Sequence, residues 1–163
     1  MLIQYVGQPW VWGAEVFTGH PNPHARCVSR VDSTGVYIIE EGPLGVNEHL
    51  QGDDLYQFEV WRPKCSDDVK AAAITWMRNH VGEGYGYVHL AWLVITFRLL
   101  GDAPVPGLDD DPKYDNVRKI CSELIAMGYY RSKGDLVPNI SDRAVLPFEL
   151  RNPETCDFAG LGD

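Results

Sequence analysis

Cys121 stands in the run RKICSELIAMGYY (residues 118–130). The spacing of Cys121, Leu124, Ile125 and Gly128 on one face predicts a helix from about Asn116 or Lys119 to Tyr130. A thiol in the first turn of a helix feels the unpaired N–H groups and the positive end of the helix dipole, which favour the thiolate. That is the form that acts as a nucleophile. It also needs a base, normally an imidazole distant in sequence, and a third polar group to hold the imidazole in one tautomer.

Five histidines are available: His20, His24, His49, His80 and His89. His24 opens the β-like run HARCVSRV directly after the turn-rich TGHPNP, so it should sit at a sheet edge where it can face a helix end. His20 lies in the loop itself, His49 in the polar NEHLQGDD stretch, His80 near the end of a helix, and His89 at the start of an apolar one. Residue logic alone leaves His24 slightly ahead.

Two metal readings compete. His20, His24 and Cys27 form H-x3-H-x2-C, with donors that zinc accepts, but Pro21 and Pro23 break the helix that would align the histidines, and no fourth ligand is nearby. In a regular strand Cys27, three residues beyond His24, points to the opposite side. Asp109, Asp110, Asp111 and Asp115 suit a hard cation by type but lack the spaced calcium-loop pattern, so a solvated acidic loop is the simpler reading.

The elements that must position these groups run strands first, helices after. Residues 25–32, 36–41 and 55–63 read as consecutive antiparallel strands, punctuated by STG and GPLG. A helix follows in SDDVKAAAITWMRNHVG, with Ser66 as its cap, acidic residues in its first turn, and Gly82 as its stop. GEGYGY links it to an apolar helix over 88–100, then comes the irregular GDAPVPGLDDDPKYDN, and the final thirty residues read as extended and proline-punctuated. This order predicts an α+β fold with a segregated sheet.

The chain has 163 residues, 45% of them hydrophobic, which suits a single domain over 1–163 with one core. A formal charge of -9 with no basic stripe argues against nucleic acid as a partner. The N-terminal run lacks the pattern of a secretory signal peptide, and VHLAWLVITFRLL, with His89 and Arg98, falls short of the roughly 20 apolar residues that span a bilayer. The expectation is a cytoplasmic or virion-associated chain without an integral membrane segment. Cys27, Cys65, Cys121 and Cys156 contain no CxxC pair and are expected as reduced thiols. Trp10, Trp12, Trp61, Trp76 and Trp92 could line an apolar groove but read more simply as core.

Taken in order, FTGHPNPHARCV, VYIIEEGPLGV, GEGYGY, ICSELIAMGYY and VLPFELRNPETCDF resemble the YiiX-like group of circularly permuted papain-fold amidases and hydrolases, relatives of NlpC cell-wall peptidases and of lecithin retinol acyltransferase. The resemblance covers nearly the whole chain. It implies a circularly permuted papain-like (NlpC-type) fold with Cys121 as nucleophile, His24 as base and Glu40 as the third polar residue, Glu41 being the alternative one register away. It further implies substrate contacts from Tyr85, Tyr87 and Ser122, no cofactor, no metal, and a thioester acyl-enzyme formed from a peptide, glycopeptide or acyl-lipid substrate. His20 departs from the group's pattern as a second imidazole in the loop. The rival class is a non-catalytic papain-like binding or structural module, for example in a phage particle or a secretion system.

Overall fold

A computed structural model describes residues 2–4, 24–52, 58–91, 95, 118–138, 140–142 and 144–161. Strands β1 (Leu2–Gln4), β2 (His24–Asp32), β3 (Gly35–Gly42), β4 (Gly45–Leu50) and β5 (Phe58–Pro63) precede helix α1 (Asp67–Arg78). Helix α2 (Cys121–Arg131), a short 3-10 segment (Pro147–Leu150) and strand β6 (Cys156–Leu161) follow. The six strands form one sheet in the order β4-β3-β2-β1-β5-β6, and each neighbouring pair is antiparallel. The fold is α+β, as the element order predicts.

Strand alternation divides the side chains of β2 and β3 between two environments. Ala25, Cys27, Ile39 and Val46 face the helices and join Ala73 and Met77 of α1 with Leu124, Ile125, Ala126 and Tyr129 of α2 in the main core. Ile38 and Phe58 are fully buried in a second, smaller cluster with Val28, Val36 and Val60. Truncating a buried Leu, Ile or Met of the main core to Ala would cost about 2–5 kcal/mol. Helix α1 crosses α2 at Gly128, where an added Cβ would come 3.0 Å from Met77 Cγ and 3.4 Å from the Ala73 carbonyl.

Ser66 caps α1 as expected, its hydroxyl accepting from the Val69 N–H at 3.4 Å. The helix stops at Arg78, four residues short of Gly82, and residues 79–82 continue as turns. Arg78 is then placed to pair with Glu48 of β4 at 2.7 Å, while Ser29 of β2 donates to the same carboxylate at 2.6 Å. NEHLQGDD, read as a polar stretch, supplies most of β4. The proline-rich tail is likewise more structured than expected, because β6 completes the sheet beside β5. Among the described strands β4 and β6 are the two edges, and Asn47, Glu48 and His49 give β4 the polar sequence that discourages further pairing.

Residues 87–91 and 95 are helical, in agreement with the start of the apolar helix. The rest of that helix, the aspartate-rich loop, His20, Trp10, Trp12 and Trp92 lie outside the described residues. Among the described residues no helix is long and apolar enough to cross a membrane.

Candidate active site

Ile120 is extended (φ -113°, ψ 165°), and the chain turns into α2 at the next residue, so Cys121 is the first helical position. An isoleucine offers no capping oxygen. Glu123 compensates: its carboxylate accepts from the Ile120 N–H at 3.3 Å and stands 3.1 Å from His89 Nδ1. Ser122 is fully buried and donates to the Val145 carbonyl at 2.5 Å, tying the helix start to the segment before the 3-10 turn. The Ser122 hydroxyl, expected at the substrate, is thus engaged by the fold.

His24 is the first residue of β2 and is 1% exposed. Its Nε2–H donates to Glu40 Oε2 at 2.8 Å. The ring also hydrogen-bonds Cys121, and with Nε2 engaged by Glu40, Nδ1 is the nitrogen left for the sulfur. The backbone N–H groups of Ala25 and Ser122 lie close enough to that sulfur to favour its thiolate.

The surroundings of the pair bias it toward a thiolate and an imidazolium. Burial opposes both charges, yet the facing imidazolium, its hydrogen bond and the two N–H groups hold the Cys121 thiol below its ordinary value. Burial likewise pulls His24 down, but the thiolate and Glu40 outweigh it and raise the imidazole to about 9. Cys27, Cys65 and Cys156 are free thiols, and burial pushes each of them up. Cys121 is thus the thiol set apart from the other three.

The choice between the two adjacent glutamates follows from strand geometry. Glu40 lies opposite Arg26 in the β2–β3 ladder, and the Arg26 guanidinium reaches Glu40 Oε2 at 2.7 Å while His49 Nε2 lies 3.4 Å from Oε1. Although burial would raise it, the His24 hydrogen bond, the His24 charge, Arg26 and His49 together hold Glu40 at about 2. Glu41 points the other way, toward the helices, and is 1% exposed. Cys27 too sits in the core beneath α2, away from His24, which breaks the H-x3-H-x2-C zinc set.

The GEGYGY segment threads between β4 and the residues preceding α2. Val46 N–H donates to Glu83 O and Gly86 N–H to Lys119 O, at 2.9 and 2.8 Å. At Gly86 a Cβ would meet the Lys119 and Arg118 carbonyls at 2.7 and 2.8 Å, so only glycine permits this approach. Tyr85 consequently packs with Leu90 against Ile120 and Ala144, and its phenol is pushed well above its ordinary value by burial and by the charges of Cys121 and Glu41. The Tyr87 ring lies tilted against Tyr85 with centroids 4.7 Å apart, is half exposed, and its hydroxyl donates to the Pro43 carbonyl at 2.6 Å. Tyr85 therefore lies beside the thiol, and Tyr87 one ring further out.

Residue reasoning missed four participants. Arg26 and His49 brace Glu40, and Lys119 and Glu123 are each 1% exposed around the helix start. Charged residues in a polar run read as solvated, and only the tertiary pairing reverses that. One signal was available: Arg26 follows His24 by two and so shares its strand face. His80 is a core histidine, its ring 3.9 Å from Trp76 and its Nδ1 donating to the Trp76 carbonyl at 2.9 Å.

Comparison with protein-family models, with curated proteins and with solved structures returned no match.

Proposed function

We propose that the chain is a cysteine hydrolase of circularly permuted papain-like (NlpC-type) fold that cleaves an amide of the cell-wall peptide type or an acyl ester. The observation that carries this reading is the continuous line Cys121–His24–Glu40, in which a thiol at a helix start meets one imidazole nitrogen and a carboxylate fixes the other. Such a line fits nucleophilic catalysis by role and geometry rather than by sequence position.

In this mechanism the Cys121 thiolate adds to the substrate carbonyl, and the carbonyl π pair moves onto oxygen. Collapse of the intermediate expels the amine or alcohol, which takes its proton from His24, and leaves a thioester. His24 then removes a proton from water, whose oxygen attacks the thioester and releases the acid. The proton returns to the Cys121–His24 pair. Tyr85, beside the sulfur, would flank the acyl group. Peptides, glycopeptides and acyl lipids are the substrate classes, acting in the cytoplasm or in a virion.

Iodoacetamide alkylation with site mapping by mass spectrometry tests the reading. Cys121 should react fastest of the four cysteines at about pH 6, and His24→Ala should abolish that advantage. Equal, slow labelling of all four would overturn it. A non-catalytic binding or structural module is favoured by one observation, the 4% exposure of Cys121; a resting thiol that never outpaces Cys65 would support that role.

A further inference from the structure

Neither carboxyl oxygen of Glu41 has a hydrogen-bond partner among the described residues, and the residue is 1% exposed. A buried carboxylate in that state is costly, and the group takes a proton instead. Its pKa is pushed up to about 9, first by burial and then by the charges of Cys121 and Glu123, with Lys119 opposing and Glu83 adding. Glu41 is therefore a neutral acid at physiological pH, and a neutral carboxylic acid is a hydrogen-bond donor.

Its position gives that donor a purpose. Arg26 stands opposite Glu40 in the β2–β3 ladder, and one further step of the same register sets Ala25 opposite Glu41. The Ala25 backbone N–H lies close enough to the Cys121 sulfur to favour its thiolate, and its side chain turns into the core under α2. Glu41, on the same sheet face, consequently lies under the first turn of α2 beside the thiol. Among the described residues nothing accepts from this carboxyl group, and the reaction at Cys121 creates an acceptor there.

Resting on the cysteine-hydrolase reading above, we propose that the Glu41 carboxylic acid is the side-chain oxyanion donor of the Cys121 site. When the thiolate adds to a carbonyl, the new S–C bond forms as the C=O π pair becomes an alkoxide, which accepts a hydrogen bond from Glu41 O–H. The proton stays on Glu41 throughout. As the intermediate collapses the C=O re-forms, the leaving group departs with the proton of His24, and Glu41 is released unchanged.

Two reactions of the same sulfur separate this role from the rest of the site. Alkylation by iodoacetamide passes through no oxyanion, whereas acylation by p-nitrophenyl acetate does. In Glu41→Leu, single-turnover nitrophenolate release at about pH 7 should fall on the order of 10²-fold, the scale of losing one oxyanion donor. Alkylation should stay within about threefold of the wild type, the size of effect expected when a neutral neighbour is lost. Glu41→Gln, whose amide still donates, should acylate much faster than Glu41→Leu.

Equal acylation by Glu41→Leu and the wild type would overturn the proposal while leaving the Cys121–His24 pair intact. A parallel fall in both reactions would overturn it too, since Glu41 would then act through the fold or the thiolate. A parallel rise, as loss of a negative neighbour would give, would show Glu41 ionised. Slow alkylation of the wild type would instead remove the cysteine-hydrolase reading and this one with it. If Glu41→Leu does not fold, infrared difference spectra of the wild type and Glu41→Gln decide. The carboxylic C=O band absent from Glu41→Gln should shift when acetaldehyde adds to Cys121, and an unmoved band would overturn the proposal.

Discussion

Arg26 and His24 converge on a single oxygen, Oε2 of Glu40, at 2.7 and 2.8 Å. Arg26 is itself locked, with its guanidinium 4.3 Å above the Phe58 ring and Nη1 donating to Gln51 at 3.1 Å. The carboxylate cannot rotate away from the imidazole without breaking a buried ion pair. Arg26→Leu should therefore slow alkylation of Cys121 at about pH 6 and cost about 3 kcal/mol of stability, as removal of one partner of a buried pair does. Urea denaturation and alkylation rates check the two halves; normal reactivity in a destabilised variant would confine Arg26 to a structural role.

Glu40 and Glu41 are neighbours on one strand with opposite pH behaviour. Glu40, lowered to about 2, contributes stability that is present above its unfolded value near 4.5 and lost as pH falls through 2. Glu41, raised to about 9, favours the fold fully only below 4.5 and loses that contribution as pH rises through 9. Glu40→Gln should thus destabilise at about pH 6, with the difference fading in strong acid. Glu41→Gln should be near neutral at about pH 4 and stabilising by up to about 3 kcal/mol at about pH 7. Urea titrations across pH measure both, and a pH-independent effect of either substitution would contradict the assigned shift.

Ser122→Ala separates a structural hydroxyl from a substrate contact. The change leaves the Val145 carbonyl without its partner and should cost about 1–3 kcal/mol. Once a turnover substrate is found, KM should be unchanged. A raised KM at undiminished stability would return Ser122 to the binding surface.

Gly86→Ala tests the clamp before α2. The new methyl would press on two backbone carbonyls, which yield less readily than a side chain, so residues 118–120 and the helix start behind them must shift. The expected result is a loss of about 2 kcal/mol or more and slower Cys121 alkylation, as for other overpacked sites. Unaltered thiol reactivity would mean that the helix start holds its place without this contact.

The parts of the site that sequence revealed were those governed by local rules. Period-two alternation implies that only one of Glu40 and Glu41 meets the imidazole, and the structure puts Glu40 there. The Ser66 cap and the helix beginning near Cys121 likewise depend on neighbours a few residues away. What escaped depends on long-range pairing. β4 carries Asn47, Glu48 and His49 because it is an edge, and its polarity disguised it as a loop. Lys119, Glu123 and Glu41 are typical surface residues by type, and only the closure of α2 over β2 and β3 buries them. Ser122 illustrates the same limit from the other side, since a hydroxyl beside a nucleophile gives no sign of which carbonyl will claim it.

The bond from Gly86 N–H to Lys119 O brings the chain back to where it left. Tyr87, His89 and Leu90 follow Gly86 directly and reach Pro43, Glu123 and the Ile120 cluster. The backbone bond therefore works as a buckle: it fastens the approach to the thiol's helix against the segment that carries Tyr85 and His89, whatever side chain stands at position 119.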